Sequence, residues 1–149
     1  MEAKNFSSTI TANISANEAI KKISEVPAWW GVDFEGSAQK QGDSFVVKMG
    51  PEAYFNCTVT ELLPAKKMVW TVDECYMPWY NDKQEWTDTR MIFELTEHDG
   101  KTSLTFTHEG ITPEVECYKD CAPGWTHWIT RSLYSYFTTG KGDFDQSRK

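Results

Sequence analysis

No apolar run in this sequence approaches the ~20 residues that cross a membrane, and residues 1–15 lack the apolar stretch of a secretory signal. The expectation is a cytoplasmic protein without membrane insertion. Positive charge is also scarce: 15 Lys and Arg stand against 22 Asp and Glu, a formal net charge of -7. Without a basic face to neutralise phosphates and release counterions, nucleic acid is excluded as a partner.

The motifs of covalent chemistry are missing. There is no Gly-x-Ser-x-Gly elbow, no cysteine with a recognisable histidine partner and no glycine-rich phosphate loop. Cysteine is sparse: Cys57, Cys75, Cys117 and Cys121, which without a secretory signal are expected to be free thiols. Cys117 and Cys121 stand at the i, i+4 spacing of one helical face, but no CxxC or HxxH supplies the further ligands of a metal site. No metal or other cofactor is expected. Glu85, Glu94 and Glu109 fall on expected strands, and alternation sends Glu94 and Glu109 to the outer face as solvated charges.

What the chain has in excess is aromatic residues, 14% of the total with 7 Trp, on an otherwise ordinary background of 40% apolar and 25% charged residues. At 149 residues it has the length of one domain, 1–149, which buries roughly 68–70% of the surface of the unfolded chain.

Residues 6–14 alternate as a half-buried strand. Ser15-Ala16-Asn17-Glu18 reads as a capping box opening a short helix, and Pro27 and Gly31 bracket a second helical turn carrying Trp29 and Trp30. Strands are expected near 33–38, 43–50, 53–63, 66–73, 85–97 and 101–109. They are joined by turns such as Gly50-Pro51, Pro64-Ala65-Lys66 and His98-Asp99-Gly100-Lys101, so consecutive strands pair antiparallel. Alternation points Phe45 and Val47, Phe55, Cys57 and Val59, Met68, Trp70 and Val72, Met91, Phe93 and Leu95, and Leu104, Phe106 and His108 to one face. From Pro123 the period becomes helical for about 16 residues, to Gly140. Trp125, Trp128, Ile129, Leu133, Tyr136 and Phe137 share one stripe, with His127 opposite.

The order of strand, two short helices, six strands and long helix resembles that of the START-like, or Bet v-like, SRPBCC superfamily. Val59-Thr60-Glu61-Leu62-Leu63-Pro64 with Lys66-Lys67-Met68-Val69-Trp70 resembles a signature of its activator-of-Hsp90-ATPase-like family. So do Trp86-Thr87-Asp88-Thr89 leading into Phe93-Glu94-Leu95, the run Leu104 to Gly110, and Gly124-Trp125, Ser132-Leu133, Tyr136 and Thr139-Gly140-Lys141-Gly142. The resemblance implies an α+β helix-grip fold, a curved antiparallel sheet wrapped around a long C-terminal helix with an internal cavity. It also implies a small hydrophobic ligand, since superfamily members hold lipids, hormones or polyketides between sheet and helix. Chaperone activators of the family carry a further N-terminal domain that contacts the chaperone, and none is expected here.

A curved sheet and one helix leave a wedge of space, and aromatic walls with a few polar groups are the usual lining of a small-molecule site. The expected lining is Trp30, Phe45, Phe55, Met68, Trp70, Met91, Phe93, Phe106, His108, Trp125, Trp128 and Leu133, with Met68 and Met91 adaptable. Tyr76, Met77, Trp79 and Tyr80 fill a connection that would ordinarily be polar, and are expected to close over the mouth as a lid. Inward His108 is a satisfied structural histidine, an anchor for a ligand oxygen, or the base of a cyclase- or hydrolase-type enzyme helped by Tyr54 or Tyr136. His98 and His127 are expected to face solvent. The alternative to ligand binding is a chaperone-related or homodimeric interaction module.

Overall fold

The structure, a computed structural model, describes residues 5–30, 33–49, 52–78, 80–81, 83–116 and 118–143. Its strands are β1 (Phe6–Ala12), β2 (Asp33–Gly36), β3 (Ser44–Met49), β4 (Ala53–Leu63), β5 (Lys67–Tyr76), β6 (Arg90–His98) and β7 (Lys101–Glu109). They form one antiparallel sheet in the order β1-β7-β6-β5-β4-β3-β2. Between β1 and β2 lie α1 (Ala16–Ser24) and α2 (Val26–Trp29). Ser15 caps α1 as its sequence predicts, accepting from the Glu18 amide at 3.1 Å.

Every residue that alternation turns inward is buried, from Phe45 on β3 to His108 on β7. The outer face carries hydroxyl pairs instead, Thr9 with Thr105 and Thr11 with Ser103. Two shifts in the β4–β5 register, at Asn56/Cys57 and Val59/Glu61, place bulges in the middle of the sheet. Bulges bend a strand and raise its twist, which curves this sheet around the helix that covers it. The result is the helix-grip fold.

That helix differs from its expected form. It starts at Tyr118, five residues ahead of Pro123, runs as α3 (Tyr118–His127), widens into a π-helical turn at Trp128–Leu133 and ends as α4 (Tyr134–Thr139). Gly140 closes it with a left-handed φ of 83°, its amide bonded to Tyr136 O. The span Tyr118 to Thr139 is 22 residues, about 33 Å at 1.5 Å per residue. Pro123 sits inside α3 at an exposed position. The π turn is tied to α2: the buried Ser132 hydroxyl donates to Trp29 O at 2.5 Å and accepts the Asp143 amide at 2.9 Å. Asp143 O also lies 2.7 Å from His127 Nε2, so His127 is buried rather than solvent-facing.

The expected strand at 85–97 begins only at Arg90, and residues 83–88 are turns. Glu85 is therefore off the sheet, where its carboxylate accepts the Glu116 amide at 2.8 Å. Glu94 and Glu109 are outward, with Glu109 held by Arg90 at 2.7 and 2.8 Å. Among the described residues no helix is long and apolar enough to cross a membrane.

Candidate functional site

The space between sheet and helix divides in two. At one end Trp29, from α2, drops onto the sheet. Its ring stacks on Trp70 at 6.4 Å and meets Phe93 edge-on at 6.3 Å, while Phe45 and Phe93 pack against Trp70 at 5.1 and 4.7 Å. Phe45, Met68, Trp70, Met91, Phe93, Phe106, His108 and Leu133 are each at most 2% exposed. All but His108 lie in the packed core, and none of the eight is in the wall of the pocket described next.

At the other end the helix, the 77–86 connection and the turn after α2 leave a pocket of about 290 Å³. Trp30, Phe55, Trp125 and Trp128 line it, as do Met77 and Tyr80 of the aromatic connection, together with Trp86, Asp120, Cys121 and Gly124. Trp29 and Trp30 thus part company: the first fills the core, and the second walls the pocket. Tyr76 pairs across the strands with Tyr54, ring centroids 6.2 Å apart, both half-buried on the side opposite inward Phe55 and Cys75. Trp79 and Cys117 lie outside the described residues.

The aromatic connection is fastened to the start of the helix. Tyr80 donates its hydroxyl proton to Asp120 at 2.8 Å, and the Asn81 amide donates to Glu116 at 3.0 Å. Trp86 is 4% exposed because the turn at 83–88 folds it inward, against Phe55 at 4.5 Å and parallel to Trp125 at 5.8 Å. Its indole N–H points to Cys121 Sγ at 3.3 Å.

His108 stands between the two halves, fully buried, with both ring nitrogens engaged. The Thr89 hydroxyl gives its single proton to Trp86 O at 2.6 Å, so it can only accept from His108 Nε2–H, at 2.8 Å. Trp125 Nε1 can only donate, so Nδ1 accepts, at 3.0 Å. The ring is therefore a neutral Nε2–H tautomer. Burial pushes its pKa down to about 3. Its two partners are a hydroxyl and an indole, and both nitrogens are satisfied, the arrangement of a structural histidine rather than a free base. Tyr54 and Tyr136 serve elsewhere: Tyr54 reaches Glu74 at 3.3 Å, and Tyr136 donates to Glu25 at 2.5 Å, where burial and that carboxylate push its pKa up to about 12. The Cys57 thiol is raised by burial. Among the described residues no group of three His, Cys, Asp or Glu side chains comes together as a metal would need.

Residues 18–138 match the family model described as Activator of Hsp90 ATPase homolog 1-like protein. Comparison with curated protein sequences gives no match. Among solved structures, the Aha1 dimer from Colwellia psychrerythraea superposes with a TM-score of 0.72 at 20% identity, over 93% of this chain and 98% of that one. CalU16 from Micromonospora echinospora gives 0.64 at 14% identity, over 95% and 78%. DynU16, from the dynemicin biosynthetic locus, gives 0.69 at 16% identity, over 95% of this chain and 49% of that one. At these identities the likeness is one of fold.

Proposed function

This chain belongs to the Activator of Hsp90 ATPase homolog 1-like protein family, and on that premise we propose that it is a binding protein for a small hydrophobic or amphipathic molecule held in the pocket beside α3. The observation that carries this reading is the pocket wall, six of whose ten described residues are aromatic, around a volume close to the lower bound of the ~300–1,000 Å³ usual for ligand sites. Trp30, Phe55, Trp125 and Trp128 hold the ligand, and Met77 and Tyr80 cover it. The thiols of Cys57 and Cys121 fit a reducing, cytoplasmic setting.

A thermal-shift screen of lipids, flavonoids and polyketides tests the proposal. A ligand at ~100 times its dissociation constant stabilises the fold by about 2.7 kcal/mol, a melting shift of roughly 5–10 °C for a chain of this size. No shift with any of these classes counts against it.

A second reading, self-association, is favoured by the dimeric Aha1 structure that shares the fold. Light scattering during gel filtration decides it, since a monomer at all concentrations rules it out.

A further inference from the structure

The wall of the pocket beside α3 divides by exposure. Trp30, Phe55, Trp86 and Trp125 are each at most 4% exposed and form its closed side. Tyr80 and Trp128 are half-buried and Asp120 is exposed, so these three border the mouth. Among the described residues of the wall Asp120 is the one that carries a charge, and no Lys, Arg or His stands with it. Its carboxylate is fixed in place, since it accepts the Tyr80 hydroxyl proton at 2.8 Å and Tyr80 is itself a wall residue.

Two further carboxylates belong to the same fastening. Glu116 accepts the Asn81 amide at 3.0 Å, and Glu85 accepts the Glu116 amide at 2.8 Å. Lys83, exposed and bonded to Tyr80 O at 3.1 Å, and exposed Lys119 bring positive charge to this region, but neither lines the pocket. The mouth is therefore a negative region on a chain of net charge -7. A charge carried by a ligand is excluded from the closed side, where burial strips its water and the aromatic wall offers no counter-ion. It stays at the mouth, hydrated and in the field of Asp120. There an ammonium group is attracted and a carboxylate repelled, through space and without need of direct contact. The rings of Tyr80 and Trp128 favour the same sign, because aromatic faces attract cations.

Resting on the ligand-binding reading above, we propose that the pocket selects an amphipathic cation, an apolar ring system carrying an ammonium group whose charge stays at the mouth beside Asp120, and that it disfavours carboxylates such as fatty acids. Three probes sharing one ring system test it: 1-naphthylmethylamine, 1-naphthylmethanol and 1-naphthoate. Each is titrated at neutral pH and low salt, where exposed charges are screened least, into wild type, Asp120→Asn and Asp99→Asn. Asp120→Asn keeps an acceptor for the Tyr80 hydroxyl and loses the charge. Asp99→Asn removes an equal charge from the turn after β6, at the far end of that strand. Wild type and Asp99→Asn should bind the amine about threefold more tightly than the alcohol and the carboxylate about threefold more weakly, the size of an interaction between exposed charges. In Asp120→Asn the alcohol should bind as before, while the spread between amine and carboxylate should fall from about tenfold to about twofold. In wild type the Asp120 carboxyl carbon resonance should move further on adding the amine than on adding the alcohol, a readout that stands if the variant does not fold. Equal affinity for amine and carboxylate, a tighter carboxylate, a spread that survives in Asp120→Asn, or one that shrinks as much in Asp99→Asn overturns this inference and leaves the pocket reading standing. Failure of all three probes to bind overturns both.

Discussion

Trp125 Nε1 lies 3.0 Å from His108 Nδ1, and this contact determines where the buried imidazole keeps its proton. Burial disfavours the charged ring and holds its pKa at about 3 against ~6.5 when unfolded, and protonating Nδ1 would also set two N–H groups against each other. Between those values the unfolded state binds the extra proton. His108 therefore leaves stability intact above pH ~6.5 and removes it as pH falls, with a slope approaching about 1.4 kcal/mol per pH unit. Urea midpoints measured from pH 7 to pH 4 should fall more steeply for wild type than for His108→Gln. Parallel curves would show that the ring titrates alike in both states.

Gly110 should not tolerate a side chain. Its φ is +106°, and a Cβ there would come within 2.7 Å of Thr89 Cγ2, on the residue that accepts from His108 Nε2. Gly110→Ala is expected to cost about 2–4 kcal/mol, from backbone strain together with displacement of Thr89. Denaturant unfolding measures it, and a loss below ~1 kcal/mol would mean the turn relaxes freely.

The two halves of the interior should respond differently to truncation. Trp70→Ala removes a fully buried ring in the packed half and should cost about 3–5 kcal/mol. Trp128→Ala removes a half-buried pocket wall and should cost roughly 1–2 kcal/mol, while weakening ligand binding at least tenfold. Melting temperature and a binding titration on the same two proteins separate these effects.

The inward faces of β3 to β7 were legible because strict alternation leaves one assignment, as Phe55, Trp70 and Phe93 show. Alternation says which way a side chain points, not whether the space before it is filled. Trp29 fills the space before Trp70 and Phe93, so those residues became core while Trp30, Trp125 and Trp128 became pocket wall. Trp86 escaped notice because it sits in turns that read as the start of a strand. Asp120 and Cys121 were hidden by Pro123, whose preference for a first helical turn placed the helix start too late, and Gly124 has no side chain to signal a pocket wall. The burial of His127 depends on Asp143, beyond the helix, which no local pattern reports.

The π turn has a consequence for chain length. Trp125, Ile129, Leu133 and Phe137 are all buried at a constant spacing of four. In an α-helix each such step drifts by about 40°, since four residues overshoot a turn of 3.6. The wider turn at Trp128–Leu133, with its i→i+5 bonds, takes that drift back. Deleting exposed Arg131 would turn the spacing 4-4-4 into 4-3-4, which an ordinary α-helix keeps on one face. The chain should therefore fold, by circular dichroism, with one residue fewer at this point. Loss of exposed Thr138, beyond the π turn, should instead swing the Gly140 terminus about 100° out of phase. Natural length variation within the helix is expected to fall at this turn.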